Sequence, residues 1–471
     1  MTPDAQAVAA APRRPLAPLA LAQFICSFAG SNMNVMINDI GADLNTTVRG
    51  VQGTITLFLL VMAVLMIPAS KLTDRWGRKR CFLTGLAMYG AGALISAFSP
   101  GLGVLILGNS LLEGVGTALL IPPVYILATM AYDDLPSRAR AFGLISGMAG
   151  VGAAAGPLIG GFIATAIDWR AAFLFQAAVV ALIVLLSRRL VDPVAPDPAR
   201  PFDVAGAVLS ATGMFFVVFG ILQAGADTTL LVVFLAVGAV LLAWFFLHIR
   251  SRERAGKEPL LSTGLFHDRT SNLGLVTQNM QWLILMGTSF TVSVFLQTVR
   301  GYNAIQTGVI FTAATVGALV SSLAAERLAR RHTQKTLIVA GFAMTVAGVV
   351  VLLVLVGAAS RVIAFTPGLL LIGLGVGVML TPSVNVVQSS FPEGLQGEIS
   401  GLSRSVSNLG SSFGTAIVGT MLIARAAEGN RAYALAMVAL AIFALIGLAA
   451  AVSLPGSPRG RAARPEPWPR R

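Results

Sequence analysis

The segment Ser70–Arg80 reads SKLTDRWGRKR and separates two apolar stretches at 50–69 and 81–99. It is short and strongly basic, and it contains one acid, Asp74, and one glycine, Gly77. Each neighbouring stretch has the length of about 20 residues that a helix needs to cross the hydrocarbon core of a bilayer. The segment is therefore predicted to be a tight charged loop between two membrane-spanning helices.

The rest of the chain repeats this alternation of apolar stretches and charged loops. Of its 471 residues, 56% are hydrophobic and 11% are charged, and the mean hydropathy is +0.81. A water-soluble domain could not bury so much apolar surface in one core. Hydrocarbon offers the backbone no hydrogen-bond partner, so the apolar stretches must be helical. We expect an all-α integral membrane protein.

The apolar stretches predict fourteen membrane spans. They lie at 16–38, 50–69, 81–99, 103–130, 141–166, 172–187, 205–224, 230–248, 273–299, 303–325, 336–358, 362–388, 399–424 and 432–453. Lys and Arg concentrate in every second loop, and the positive-inside rule makes that side cytoplasmic. We therefore expect a multi-pass protein of the bacterial inner (plasma) membrane with both termini in the cytoplasm.

The charge and the cysteines exclude two other classes of protein. The net charge is +13, but its Lys and Arg residues lie in short loops and form no continuous face for nucleic acid. Cys26 and Cys81 lie in separate apolar stretches, in a pattern unlike that of a metal site. We expect no nucleic-acid partner and no metal.

An internal repeat divides the chain into two similar halves. A shift of 258 residues places Gly143, Gly152, Gly156 and Gly161 on Gly401, Gly410, Gly414 and Gly419. The repeat predicts a six-helix bundle at 1–190, an inserted helix pair with linkers at 191–260, a second six-helix bundle at 261–455 and a basic cytoplasmic tail at 456–471. Two such bundles place a substrate site between them, near the middle of the bilayer.

The loop at Ser70–Arg80 resembles the loop signature of the major facilitator superfamily, G-x-L-a-D-R-x-G-R-K, with Ser70 in the place of the first glycine. Its acid and bases can form an ion-pair latch at a helix end, and the glycine allows a tight turn. The resemblance implies the major facilitator fold, with two six-helix bundles and two inserted helices. It also implies a conformational-switch loop formed by Asp74, Arg75, Gly77 and Arg78.

The fifth span resembles the antiporter signature of the same superfamily, which marks exporters. The matching residues are Gly143, Gly152, Gly156, Pro157, Gly160 and Gly161. Small residues at helical spacing let a neighbouring backbone approach, and the proline bends the helix. Asp168-Trp169-Arg170, Phe202-Asp203 and Leu265-Phe266 extend the likeness to the fourteen-span drug:proton antiporter branch.

The residues that usually couple this branch to protons differ here. Ala29 stands in place of the usual Asp, and Ser110 in place of the usual Arg. Ionisable groups in hydrocarbon are costly and mark function, which makes Glu113, near the middle of the fourth span, the first proton-coupling candidate. Asp39, at the outer mouth, is the second. Alternatively, Glu113 stays protonated and hydrogen-bonds to a neighbouring helix through a group such as Ser110.

Polar and aromatic residues of three spans are candidates for the substrate cavity. They are Asn32, Asn34, Phe28, Gln278, Asn279, Gln281, Trp282, Asn385 and Gln388. Clustered amides in lipid face a cavity or another helix, and hydrogen bonding between helices is the alternative for each of them. Arg404 is expected near the cytoplasmic end, so nothing deep in the spans would bind a multivalent anion.

These observations predict a secondary active exporter, a proton antiporter of amphipathic, neutral or monocationic small molecules. We expect multidrug efflux by alternating access, conferring drug resistance. The alternatives are a dedicated exporter of one metabolite or lipid, and a transport-inactive membrane sensor or scaffold. An enzyme is not expected, because the sequence has no P-loop and no Cys/His cluster. The expected partners are the substrate, protons and the lipid bilayer, with no cofactor, and we expect a monomer.

Overall fold

The computed structural model describes residues 16–456, apart from 132–134, 189, 191, 193–195, 200, 225–226, 330, 359–361, 393–394 and 426–427. The predicted basic tail at 456–471 lies outside the described residues, except for its first residue. The described part contains fourteen helices that are long and apolar enough to cross a membrane. The predicted all-α membrane fold is confirmed.

The fourteen helices follow the predicted spans along the whole chain. They are α1 (Leu16–Asn32), α2 (Val48–Trp76), α3 (Arg78–Ala97), α4 (Leu102–Leu105, Ile106–Glu113 and Gly114–Ala131), α5 (Leu135–Ala166), α6 (Trp169–Ser187), α7 (Val204–Gln223), α8 (Thr228–Arg254), α9 (Arg269–Val294, with Phe295–Val299), α10 (Ala304–Ala329), α11 (Gln334–Ala358), α12 (Thr366–Gln388), α13 (Gln396–Ala424) and α14 (Asn430–Ser453). The segments Ile106–Glu113 and Phe295–Val299 are π-helical. Several helices extend beyond the predicted apolar spans, because helical hydrogen bonding continues into the polar ends.

The segment Ser70–Arg80 shows this extension most clearly. Most of it is helical, since α2 continues to Trp76 and α3 begins at Arg78. The turn between them is formed by Gly77 alone, whose φ of +94° is a conformation that favours glycine. Its N–H closes α2 by donating to the Thr73 carbonyl oxygen at 3.0 Å. The predicted tight turn is therefore as short as the chain permits.

The helices form two six-helix bundles, α1–α6 and α9–α14, with α7 and α8 inserted between them in sequence. The bundles meet mainly where α2 packs against α13 and where α5 packs against α10. The inserted helices pack against each other, and α7 also contacts α2 and α13. Helix α8 buries only 11% of its most apolar window, whereas α9 buries 78%. The inserted pair therefore lies at the edge of the assembly.

Contacts join the two bundles at both ends. At the end that carries Lys71, Arg78 and Lys335, here called the basic end, Ser70 Oγ donates to the Gly397 carbonyl oxygen at 2.7 Å. At the opposite end, Asn34 Nδ2 donates to Ser289 Oγ at 3.2 Å. The space between the bundles is therefore bounded at each end by direct contacts.

Candidate transport site

A cavity lies between the two bundles, with an empty volume of about 480 Å³ that includes the part open to solvent. Helices α1, α2 and α4 of the first bundle and α9 and α13 of the second form its wall. The lining residues are Gln23, Cys26, Ser27, Gly30, Leu59, Met62, Met66, Ile121, Trp282, Met286, Arg404, Ser407, Asn408 and Ser411. Because both bundles contribute, a rotation of one against the other would change this cavity directly.

A second cavity of about 490 Å³ lies between α5, α9, α10 and α12. Its lining is apolar except for Thr288 and Ser289, and it shares Met286 with the first cavity. The first cavity, with six polar lining residues, is here called the polar cavity, and the second is called the apolar cavity. The two adjoin at the Met286 side chain. Such a pair of spaces suits an amphipathic molecule.

Arg404 is the charged residue in the wall of the first cavity. It lies about 12 Å along α13 from Gln396, at about 1.5 Å per residue, and its side chain is buried. Its guanidinium donates to Tyr125 Oη of α4, and its central carbon lies 4.4 Å from the Tyr125 ring centroid. Tyr125 Oη in turn donates to Gln23 Oε1 at 3.2 Å. This chain of contacts connects both bundles across the cavity.

Sequence reasoning placed Arg404 near a helix end and did not select Gln23 or Tyr125. Arg404 lies three positions after Gly401, where a Cβ would meet Ser70 Cβ at 2.8 Å at the basic end, so it enters the cavity wall from that side. Gln23 and Tyr125 each have apolar residues on both sides in the sequence. Only their mutual contact distinguishes them from other isolated polar residues.

Among the cavity residues predicted from sequence, Trp282 lines the first cavity. Its neighbours on α9 point into the second bundle. Gln278 Nε2 donates to the Ser383 carbonyl oxygen at 3.0 Å, and Gln278 Oε1 accepts from Ser403 Oγ at 2.7 Å. Asn279 Nδ2 donates to the Val406 carbonyl oxygen at 2.8 Å. These two amides fit the alternative of hydrogen bonding between helices.

The candidates on α1 and after it lie at interfaces. Asn32 is buried against Gly160 of α5, and its amide has no hydrogen-bond partner among the residues that the structure describes. Asn34 bonds across to Ser289 of the other bundle. Phe28 packs in an aromatic cluster, with its ring centroid 5.4 Å from that of Phe175.

The remaining candidates lie deeper in the second bundle or toward the basic end. Gln281 is buried, and its Nε2 has no hydrogen-bond partner within the described part of the chain. Gln388 Nε2 donates to Ser400 Oγ at 3.3 Å, which joins α12 to α13. Asn385 is half-buried one turn before Gln388. None of these three lines either of the two cavities described above.

Glu113 is fully buried at the end of the π-helical segment of α4. Its carboxylate accepts from Asn109 Nδ2 at 3.3 Å and from Ser96 Oγ of α3 at 3.5 Å. A side chain at Gly92 of α3 would meet Glu113 Cγ at 2.9 Å, so the two helices are in close contact there. Glu113 therefore lies inside the first bundle, beside the cavity wall and not among its lining residues.

Ser110 shares the π-helical segment with Glu113 but faces a different helix. Its Oγ donates to the Thr54 carbonyl oxygen of α2 at 2.8 Å. The partner of Glu113 across the helix interface is Ser96, not Ser110. π-Helical segments are rare and occur frequently at functional sites, and this one turns the two polar residues toward two neighbouring helices.

Asp39 lies at the opposite end, in a short helix at Ile37–Asp43. Partial burial, and next the negative charge of Asp168, raise the pKa of its carboxyl above the ordinary value. Nearby, Asp43 accepts from Trp169 Nε1 at 3.1 Å and pairs with Arg170. This end of the bundle carries a group of acids around the start of α6.

The predicted switch loop forms ion pairs at the basic end. Asp74 pairs with Arg78 at 3.0 Å across the Gly77 turn, and the Lys79 N–H donates to Asp192 Oδ2 at 3.1 Å. Arg75 is half-buried in the last turn of α2. The turn is therefore held on both sides by carboxylates.

Lys71 connects this loop to the second bundle. Its ammonium lies 2.6 Å from Glu398 of α13 and 3.0 Å from Glu258 in the linker before α9. Glu398 also accepts from the Ser262 N–H at 3.0 Å. One lysine thus joins the first bundle, the second bundle and the linker that follows the inserted pair.

The glycines of α5 allow close approach to two different helices. A Cβ atom at Gly152 would collide with the Phe24 carbonyl oxygen of α1, and one at Gly156 would collide with Ser31 Oγ of the same helix. Gly160 also faces α1. Gly161 instead faces Ala304 of α10, and the Pro157 carbonyl oxygen faces Gly308 of the same helix. A Cβ at Gly143 would have no atom within 4 Å. Helix α5 therefore packs within its own bundle on one face and against the other bundle on another.

A sequence profile of the Major Facilitator Superfamily matches residues 19–415. The chain belongs to this superfamily. Among solved structures, this superfamily member resembles the peptide transporter POT in complex with sulfate, with a TM-score of 0.66 at 18% identity. The match covers 94% of this chain and 95% of that one. At this identity, the likeness concerns the fold.

Several curated relatives within the superfamily have names that refer to drug resistance. The chain is 27% identical to the multidrug resistance protein Stp of Mycobacterium tuberculosis over 83% of its own length and 72% of Stp. It is 29% identical to the multidrug efflux pump LfrA of Mycolicibacterium smegmatis, over 87% and 80%. It is also 29% identical to the tetracenomycin C resistance and export protein of Streptomyces glaucescens, over 83% and 72%. Membership of the superfamily makes the protein a membrane transporter.

Proposed function

We propose that this superfamily member is a secondary active exporter of amphipathic small molecules, of the multidrug-efflux type. The observation that carries the proposal is the pair of adjoining cavities, one polar and one apolar, at the junction of the two bundles. The names of the relatives support export of drug-like compounds. A single chain supplies both walls of the polar cavity, so the proposed transport unit is a monomer.

Alternating access would work by rocking the two bundles about this junction. The proposed moving units are the bundles predicted at 1–190 and 261–455, with the pair at 191–260 attached between them. Ser70 and Lys71 close the basic end, and Asn34 closes the opposite end. Transport requires these two sets of contacts to break in turn.

The proposed orientation places the basic end in the cytoplasm of a bacterium, with the protein in the inner membrane. Lys71, Arg78 and Lys335 support this orientation, because cytoplasmic loops carry the excess of Lys and Arg. Both termini are then cytoplasmic. Outward movement would carry compounds from the basic end to the end that carries Asp39.

Protons are the proposed driving ion, with Glu113 as the group that takes up and releases them. Its neighbours Asn109 and Ser96 are neutral donors, and no basic residue pairs with it in the described ranges of the chain. Because an unpaired charge in a dry site is costly, the carboxyl would hold its proton while the site is dry and release it when the rocking of the bundles admits water.

The test is proton antiport in everted membrane vesicles, followed with a pH-sensitive dye while ethidium and neutral lipophilic compounds are added. Wild type should release protons when a transported compound is added, and Glu113→Gln should not. Glu428→Gln is the matched control, because Glu428 is an exposed carboxylate and should leave the response unchanged. A wild-type response to one compound alone would favour the dedicated exporter. Silence toward every compound would contradict proton-coupled export of these compounds.

A further inference from the structure

We propose that the polar cavity recognises aromatic compounds that carry an acidic group, and that Arg404 is the residue that binds the acid. The inference rests on the proposed export function, since it assigns the substrate class of the same cavity. Its starting point is the charge of the wall. Arg404 is the sole charged side chain among the lining residues that the structure describes, and the other polar members are Gln23, Ser27, Ser407, Asn408 and Ser411.

The partners of Arg404 leave its charge uncompensated. The guanidinium donates to the Tyr125 hydroxyl and lies against the Tyr125 ring, both of which are neutral. The side chain is nine-tenths buried, and no carboxylate pairs with it within the described ranges. A guanidinium carries five N–H donors. Burial of such a group without a counter-charge is costly. An anion that enters the cavity would supply the missing counter-charge and would therefore bind favourably.

The face of α13 that follows Arg404 prolongs the polar surface. Ser407, Asn408 and Ser411 lie three, four and seven positions after Arg404, which is the spacing of one helix face. All three line the cavity. The Ser407 and Ser411 hydroxyls donate within α13, to the carbonyl oxygens of Ser403 at 2.9 Å and Ser407 at 3.3 Å. The further donor that a carboxylate or phenolate held by Arg404 would meet on this face is therefore the Asn408 amide.

Other lining residues, from α9 and α2, suit a flat apolar ring. Trp282 offers an aromatic face, and Met62, Met66 and Met286 offer adaptable thioether side chains. Because Met286 also lines the apolar cavity, a larger compound can place its acid at Arg404 and its apolar body beyond Met286. A cationic compound in the same position would meet the guanidinium without a carboxylate in the lining.

Glu113 does not change this charge balance. It packs against Gly92 of α3 and accepts hydrogen bonds from its own bundle, outside the lining of the cavity. This acid is thus not part of the surface that a substrate in the cavity would contact. The base in the wall decides the charge preference.

The experiment measures the binding of three matched probes to the full-length protein in nanodiscs. The probes are 7-methoxycoumarin-3-carboxylic acid, its primary amide and its 2-aminoethyl amide, which are an anion, a neutral compound and a cation on one aromatic scaffold. The variants are Arg404→Gln, Arg404→Lys and Tyr125→Phe. Tyr125→Phe removes the hydroxyl that accepts from Arg404 and keeps the guanidinium. It therefore distinguishes the effect of losing the hydrogen bond between the bundles from the effect of losing the positive charge.

The wild type should bind the acid about tenfold or more tightly than the amide, because hydrogen bonds between charged groups are stronger than those between neutral groups. It should bind the amine most weakly. Arg404→Gln should remove the preference for the acid, Arg404→Lys should keep part of it, and Tyr125→Phe should retain it. Equal binding of acid and amide, tightest binding of the amine, an equal loss of all three probes in Arg404→Gln, or no binding of any probe would each overturn the proposal.

The two proposals fail in different ways. Binding of the acid that depends on Arg404, without proton release in vesicles, would support the acid site and contradict the proposed exporter. Proton release driven only by cations would support the exporter and overturn the acid site.

Discussion

Glu113 and Arg404 are both buried charged residues of membrane helices, yet their surroundings differ. Glu113 lies inside one bundle, where α3 and α4 supply its hydrogen-bond donors. Arg404 lies at the junction of the two bundles, in the wall of a cavity, with a tyrosine of the opposite bundle as its partner. Burial in a span marks both as costly groups. Their different surroundings suit Glu113 to proton exchange and Arg404 to substrate binding.

The same division applies to the packing contacts. Contacts inside a bundle, such as Gly92 against Glu113, must persist throughout the transport cycle. Contacts between bundles, such as Lys71 with Glu398, must break once in each cycle. Substitutions of the first kind should therefore affect folding, and substitutions of the second kind should affect the balance between open and closed states.

The largest effect is expected from a substitution inside the first bundle. Gly92→Val places a Cβ 2.6 Å from the Gly108 carbonyl oxygen and 2.9 Å from Glu113 Cγ, so α3 and α4 must separate. We expect unfolding to become easier by about 1–3 kcal/mol or more, measured as a lower melting temperature of the protein in detergent. Gly103→Val is the matched control, since a Cβ at Gly103 meets no atom within 4 Å. A wild-type melting temperature for Gly92→Val would contradict the close packing around Glu113.

An intermediate effect is expected where the inserted pair joins the basic end. The Asp203 carboxylate accepts from the Gly206 N–H and contacts His248 of α8 at 2.9 Å and Arg252 at 3.6 Å. Burial alone would raise the pKa of Asp203, but these contacts outweigh it and hold the pKa below the ordinary value of 3.8. We expect Asp203→Asn to lower the free energy of unfolding by about 2 kcal/mol.

The lowered pKa of Asp203 also gives the direction of the pH dependence. The stabilisation is complete above the ordinary carboxyl pKa and is lost as the pH falls through the lower folded value. The difference in melting temperature between wild type and Asp203→Asn should therefore be constant near neutral pH and should shrink below about pH 4. A difference that grows on acidification would contradict the ion-pair account.

The smallest effect is expected at the contact between bundles. Lys71→Gln removes two ion pairs at the basic end. The loss of about 1 kcal/mol changes the ratio of open to closed states by a factor of about 5. We expect faster maleimide labelling of Cys26, a cavity residue, in a Cys81→Ser background. Arg431→Gln, an exposed ion-pair partner, is the control. Unchanged labelling in Lys71→Gln would show that the two Lys71 ion pairs do not keep the basic end closed.

The sequence was sufficient for the helices and for the turn at Gly77. Apolar stretches of span length must be helical in lipid, whatever their neighbours, so their number and order follow from local composition. The Asp74–Arg78 pair is also local, because the two residues lie four positions apart. Features of this kind depend on short stretches of chain.

The candidate site depends on which helices meet, and the sequence does not contain that information locally. Glu113 stands out in its span, but its donor Ser96 comes from another helix. Gln278 and Asn279 have the polarity of cavity residues, yet their partners Ser383 and Val406 lie in the same bundle. Arg404 enters the cavity wall through the rotation of α13, which is set by packing against α2 and α9.

The most direct test of the separation between proton and substrate compares Glu113→Gln and Arg404→Gln in the same proteoliposomes. Two quantities are measured for each variant: the binding ratio of the coumarin acid to its amide, and the proton release that follows addition of the amide. We expect Glu113→Gln to lose proton release and keep the binding ratio. Arg404→Gln should lose the binding ratio and still release protons. Loss of both quantities in either variant would show that one site performs both tasks and would contradict the account.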